Sequence, residues 1–226
     1  MNTLHPKSTA APVATSTITK LPRLIGVGLS TLALCACSVL SPTTTPPPAF
    51  YSLNHSLNGA QGTSSAVRST LQPTLIINPP RAAPGFDSQR IIYLREAHKL
   101  EYFAHSEWVD PPARMLGSLL VASLQDTGAF RAVVLAPATA TGEVRLETEI
   151  IRLQQEFQTI PSRVHFTLRA VLVDEKTRRV QAWREFDASV PSPTDDPYGG
   201  VLAANLAVQS VLKDLAEFCV AQVRKP

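Results

Sequence analysis

The sequence predicts an α+β domain: a mostly antiparallel sheet with two amphipathic helices packed on it. Three observations carry this. Runs of β-branched and aromatic residues with period-two alternation recur from residue 50 to 190. Two stretches instead repeat apolar residues every three or four positions, near 110–128 and 195–219. The order reads β-β-β-β-α-β-β-β-β-α, without the regular strand–helix alternation of a doubly wound fold.

The elements follow in chain order. Phe50-Tyr51-Ser52-Leu53 is a short strand, and residues 54–70 are rich in Ser, Gly and Asn and read as a loop. Thr74 to Asn78 is apolar and β-branched until Pro79-Pro80 stops it. Arg90–Arg95 and Lys99–Ala104 form a hairpin around Glu96-Ala97-His98. Asp110 can cap a helix whose first position suits Pro111, with Leu116, Leu119, Leu120 and Leu124 on one face and Gly128 as its stop. Phe130 to Leu135 is a short strand.

The next three strands form an antiparallel meander. In Glu143–Phe157, Val144, Leu146, Thr148 and Ile150 share a face, and then Ile151, Leu153 and Phe157 take over on the opposite parity. A strand cannot bury both sets on one side, so a β-bulge is expected near Ile150-Ile151. Val164, Phe166, Leu168, Ala170 and Leu172 line one face of the second strand, and Val180–Val190 is the third. Asp195 or Asp196 caps a long helix with Pro197 at its start and a stripe of Val201, Val208, Leu212, Leu215 and Cys219.

The region before this domain reads as targeting sequence. Residues 1–23 contain Lys7, Lys20 and Arg23 and no acid. The apolar run Leu24 to Ala36 is too short to span about 30 Å of hydrocarbon as a helix and suits a signal peptide. It ends in Leu34-Cys35-Ala36-Cys37, which resembles a bacterial lipobox, with Cys37 as the lipidation site. Cys35 is the poorer candidate because bulky Leu34 precedes it. The competing readings are an ordinary secretory signal cleaved near Ala36 and an uncleaved anchor helix. Residues 1–36 are therefore expected to leave as a lipoprotein signal peptide, 37–49 to form a Pro/Thr-rich tether, and 50–226 to form a single α+β domain.

Processing alters the charge argument. The signal holds three of the 21 basic residues and none of the 18 acids, so the mature chain carries 18 of each. That balance gives no support to nucleic-acid binding. With Cys35 removed and Cys37 acylated, Cys219 remains alone, and its place on an apolar stripe makes it a small buried hydrophobe.

No catalytic or metal site is expected. His55, His98, His105 and His165 have no zinc-ligand spacing, and neither a nucleophile elbow nor a phosphate-binding glycine loop is present. Ligation by His98 and His105 competes with two solvated histidines. A carboxylate pair among Glu143, Glu147 and Glu149 competes with the solvated face of a half-buried strand, which the buried-type Val144 and Leu146 opposite them favour. Trp183 falls on the polar face among Gln181, Glu185 and Asp187, and marks either a partner or ligand surface or a position covered by another element. Trp108 reads as a structural plug.

Together, the lipobox cysteine, the Pro-rich tether, Phe50–Leu53, Arg90–Arg95, Leu100–Phe103 and the Glu107-Trp108-Val109-Asp110-Pro111-Pro112 junction resemble the ABC-type transport auxiliary lipoproteins (PqiC/YmbA-like). The long n-region and the extended loop from Asn54 to Thr70 depart from that pattern. The resemblance implies a non-enzymatic, lipid-anchored periplasmic component, held by an N-acyl diacylglycerol on Cys37 and without other cofactors. Ser38 rather than Asp after the cysteine points to the inner leaflet of the outer membrane. Implied partners are a periplasmic protein with MCE domains and its ABC permease and ATPase, in a system moving phospholipid or other hydrophobic molecules between inner and outer membranes; a homo-oligomer is compatible. Two readings compete with direct lipid handling: a structural adaptor that never touches lipid, and an outer-membrane assembly lipoprotein. Lipid handling requires an apolar cavity beyond the core, whereas the adaptor requires a filled core and a protein-facing patch near Trp183.

Overall fold

In the computed structural model the chain divides into a unit of residues 1–45 and one of residues 46–226. The structure describes residues 47–54 and 72–224, all in the second unit. The expectations for the signal peptide, for Cys35 and Cys37, and for most of the loop at 54–70 lie outside the described residues.

Nine strands and two helices follow in chain order: β1 (Ala49–Tyr51), β2 (Thr74–Ile77), β3 (Arg81–Ala82), β4 (Arg90–Leu94), β5 (Glu101–Trp108), α1 (Pro112–Asp126), β6 (Ala132–Leu135), β7 (Val144–Glu156), β8 (Arg163–Asp174), β9 (Val180–Pro191) and α2 (Pro197–Val223). The predicted order holds with one addition, the two-residue β3.

The organising element is β7. One edge pairs along its length with β8, and β8 with β9, both antiparallel, as the meander predicts. The other edge is met in succession by β2, β3 and β4, all parallel to it. From there the sheet continues to β6 beside β2, and to β5 and β1 beside β4, with only β4–β5 antiparallel. The sheet is therefore mixed, which corrects the expectation of a mostly antiparallel one. The hairpins were visible as neighbouring segments, whereas the parallel pairings join segments dozens of residues apart.

The expected bulge is present, with the β7–β8 register shifting between Ile150 and Arg152. Before it, Leu146 lies across from Leu172 and Ile150 from Leu168; after it, Leu153 faces Phe166 and Gln155 faces Val164. One extra residue thus switches the parity of β7 and keeps both halves aimed at the same core. All five predicted β8 core residues are buried.

Both helices cover that face. Leu116, Leu119, Leu120 and Leu124 of α1 and the full predicted stripe of α2 are buried. Ala203, Ala204 and Ala207 are buried too, and such small side chains let α2 approach the sheet closely. Asp196 is the α2 cap and accepts the Gly199 N–H at 2.7 Å, while Asp195 accepts the Ser162 N–H at 2.7 Å. The α1 cap corrects the prediction: Pro111 occupies the N-cap with no side-chain hydrogen bond, and Asp110, one residue outside, pairs with Arg114 at 2.9 Å. Gly128 follows the helix with φ +63°, the left-handed stop foreseen for it. Trp108 is 3 % exposed and plugs the core beneath α2.

Candidate functional site

The outward face of the sheet carries the sequence-predicted polar residues, and their pairing can be followed side chain by side chain. Glu143 accepts the Thr74 N–H at 2.7 Å and pairs with Arg131 at 3.0 Å; these bonds, the backbone one foremost, hold its carboxyl below the usual range. Arg145 makes a two-pronged contact with Glu175, at 2.7 and 2.5 Å, and also donates to Asn78 Oδ1. Glu147 accepts from Asn78. Glu149 pairs with Arg169, which also holds Glu185, and Arg152 pairs with Asp187. The three glutamates suggested by sequence are each engaged by a different partner, so the structure brings together a cross-strand ion ladder rather than a paired-carboxylate site.

One cluster on this face imitates a nucleophilic triad. Ser189 Oγ lies 3.3 Å from His165 Nε2, and Glu156 Oε2 lies 3.5 Å from the same nitrogen. A relay needs base and orienter on opposite ring nitrogens. Here both partners address Nε2, while His165 Nδ1 is buried without a hydrogen bond. The arrangement spans β7, β8 and β9 and lacks the two-sided geometry of a relay.

His98 sits in the β4–β5 turn at φ 66° and His105 on β5; both are exposed. Among the described residues no group of three or more His, Cys, Asp or Glu side chains is arranged to hold a metal ion. Trp183, in contrast, is 64 % exposed on β9. It lies across from Val171, and Val180, also exposed, lies across from Val173. The sequence alternatives for Trp183 thus resolve to the uncovered one: an apolar spot beside the charged ladder.

A second feature is one the sequence reading missed. Between α1 and α2 lies a groove of about 710 Å³. Its floor is Leu119 of α1 and Val208, Leu212, Ala216 and Val220 of α2; Ser123, Lys213, Glu217 and Arg224 are on its rim. Ser123 Oγ donates to Leu212 O at 3.3 Å, which ties the helices together at that level. The α2 stripe was legible, but not that the apolar arc of this 27-residue helix exceeds what the sheet covers. The signal available was Ala216 and Val220, one turn apart alongside the predicted stripe, with Ala221 next to them. No helix among the described residues is long and apolar enough to cross a membrane.

These features define a layered α+β domain with an uncovered aromatic spot on one face and an apolar groove on the other, the outfit of a binding or accessory module. The chain belongs to the ABC-type transport auxiliary lipoprotein component family, whose profile matches residues 51–216. A crystal structure of a Xanthomonas campestris protein is similar with TM-score 0.65 and 22 % identity, over 77 % of this chain and 95 % of that one. A second, uncharacterized protein aligns with TM-score 0.60 and 12 % identity over 76 % and 99 %. At these identities the two structures show the shared fold alone. No curated protein matches the sequence.

Proposed function

We propose that the protein is a lipid-anchored, non-enzymatic component of an MCE-type ABC system that moves phospholipid or another hydrophobic substrate between the inner and outer membranes. Cys37 is the anchor, holding the domain at the inner leaflet of the outer membrane. The family match over residues 51–216 carries the transport assignment. The groove between the helices favours lipid handling over a purely positional role, because an adaptor needs no apolar cavity beyond its core. The exposed Trp183, flanked by Val171 and Val180, is the surface offered to the MCE-domain partner, since a large uncovered aromatic beside a polar rim is a common interface anchor.

One observation favours the adaptor as a second reading. The Trp183 spot lies on the sheet face, away from the helix face that bears the groove, so partner contact does not require the groove. The experiment is affinity capture of the membrane-anchored protein, with mass spectrometry of co-purifying proteins and lipids, on the wild type and on Trp183→Ala. An MCE partner together with phospholipid supports lipid handling. The partner without lipid selects the adaptor, and neither, or a β-barrel protein instead, overturns the transport reading. Loss of the partner in Trp183→Ala supports the assigned surface.

A further inference from the structure

We propose that the first half of α2 lies against the membrane surface, with Tyr198, Leu202 and Leu206 seated at the boundary between lipid headgroups and acyl chains. This rests on the anchor assigned to Cys37 above and adds an orientation of the domain to it. The three residues are spaced four apart, so they form one row along the helix. The row lies on the side away from the sheet, since Gly200, Ala203, Ala204 and Ala207 hold the buried side. Each of the three is nevertheless large, apolar and 40–57 % exposed. A helix face turned to water normally carries charge, and α2 does so further on, where Lys213, Asp214 and Glu217 are exposed. Between Asp196 and Lys213, by contrast, sixteen successive residues carry none.

The place of the row selects its occupant. Tyr198 meets Tyr51 of β1 with ring centroids 6.4 Å apart. Asn205 accepts the Asn54 N–H at 2.8 Å and donates to Ser52 O at 3.3 Å. The row therefore runs beside the segment by which the chain enters the domain from the tether. Cys37 precedes Pro47 by ten residues, and ten residues of Pro-rich chain span about 30 Å. Acyl chains on Cys37 keep a bilayer within reach of the row at high local concentration, so weak contact is enough. Leucine and tyrosine suit that boundary, because the hydrocarbon enters while the phenol keeps its hydroxyl among the headgroups. Ile160, 92 % exposed, adds to the same end: it sits on the β7–β8 loop that Asp195 ties to the start of α2 through the Ser162 N–H. A few such side chains fall short of a standard protein interface, which takes roughly 20–30 residues a side. In this orientation the sheet face, with Trp183, points away from the bilayer and stays open to a soluble partner.

The test uses the purified lipoprotein in vesicles of phosphatidylethanolamine and phosphatidylglycerol. A thiol-reactive fluorophore is placed at Leu202→Cys or, as the control, at Lys176→Cys in the turn between β8 and β9; Cys219 is buried and stays unlabelled. Quenching by nitroxide-bearing lipid and by aqueous iodide is then compared. The Leu202 label is expected to be shielded from iodide and quenched about threefold more by the lipid nitroxide than the Lys176 label, as for side chains about 5–10 Å into the headgroup boundary. Tyr198→Glu with Leu206→Glu, both at exposed positions, is expected to remove that difference while the anchor keeps the protein on the vesicles. A Leu202 label open to iodide overturns the proposal. So does one shielded from iodide yet untouched by the lipid nitroxide, which would mean that a second copy covers the row, and so does lipid quenching insensitive to the two glutamates. Mass spectrometry of the same protein separates the two readings. Cys37 found unacylated with Leu202 still quenched by lipid sinks the anchor and leaves the surface standing; acylated Cys37 with Leu202 open to iodide does the reverse.

Discussion

At the scale of single residues, two cysteines carry separate predictions, one from packing and one from the proposed anchor. Cys219 lies in the core with no exposed surface, and burial pushes its thiol up to about 12 from an ordinary 9.0. The thiolate is the reactive form, so at neutral pH the folded protein holds about a thousandfold less of it than a free cysteine would. Native protein treated with a maleimide is expected to stay unlabelled at Cys219 and to label after unfolding in urea; rapid native labelling mapped to this residue would contradict the packing. The proposed function gives Cys37 the reverse role, as the thiol that becomes acylated. Stable anchoring takes more than one acyl chain, so removing its acceptor removes the whole anchor. Cys37→Ser is expected to abolish palmitate labelling and shift the protein from the membrane pellet to the soluble fraction, and Cys35→Ser to change neither. Loss of labelling in Cys35→Ser alone would relocate the lipobox.

At the scale of elements, the turns into and out of the helices make separable demands. The α2 start is tight: a Cβ on Gly199 would lie 2.1 Å from Thr194 O, a backbone atom with no freedom to turn away. After α1, Gly128 has open space around it and only its positive φ to defend. Gly199→Ala is therefore expected to cost about 2 kcal/mol or more in urea unfolding, the scale of overpacking, and Gly128→Ala about 1 kcal/mol, the scale of left-handed backbone. The reverse ranking would mean that the loop before α2 yields more easily than its hydrogen bonds suggest. Much at this scale was legible in the sequence. The parity switch in β7 could be read because two sets of apolar residues on one strand admit few other resolutions. The α2 cap was narrowed to two aspartates, and both turned out to be used, one on Gly199 and one on Ser162. The α1 cap was misread for a steric reason. Consecutive prolines, Pro111 and Pro112, hold the chain extended one residue longer, with Pro111 at ψ 133°, and this moves Asp110 outside capping reach.

For the molecule as a whole, what stayed hidden in the sequence is what depends on distant segments meeting. Nothing local tells β2, β3 and β4 that they will lie end to end along β7, or that α1 and α2 will leave a groove between them. The alternation on the outer face, by contrast, foretold a solvated surface, and the carboxyls held on its ladder and in the turns beside it give the fold a definite acid response. The carboxyls of Glu143, Asp174, Glu175, Asp187 and Asp195 are all held below their ordinary values. Hydrogen bonds do most of this: from the Thr74 N–H for Glu143, from Thr177 for Asp174, from Arg145 for Glu175 and from Ser162 for Asp195. At Asp187 burial pushes upward but is outweighed by Arg152 and Thr167. A carboxyl whose folded value is depressed stabilises the fold when ionised. The contribution is complete above the unfolded values of 3.8 for Asp and 4.5 for Glu, and is lost as pH falls through the lower folded values. The urea midpoint is therefore expected to hold steady between neutral pH and about 5 and to drop below about 4. Glu175→Gln isolates one contributor, because it keeps the shape and removes the charge that meets Arg145 in two prongs. This variant is expected to have a lower midpoint at pH 7 and a smaller further drop at pH 3.5, the two curves converging in acid. Parallel curves with an unchanged gap would mean that the Arg145–Glu175 contact contributes through packing alone and that the acid response arises elsewhere on the ladder.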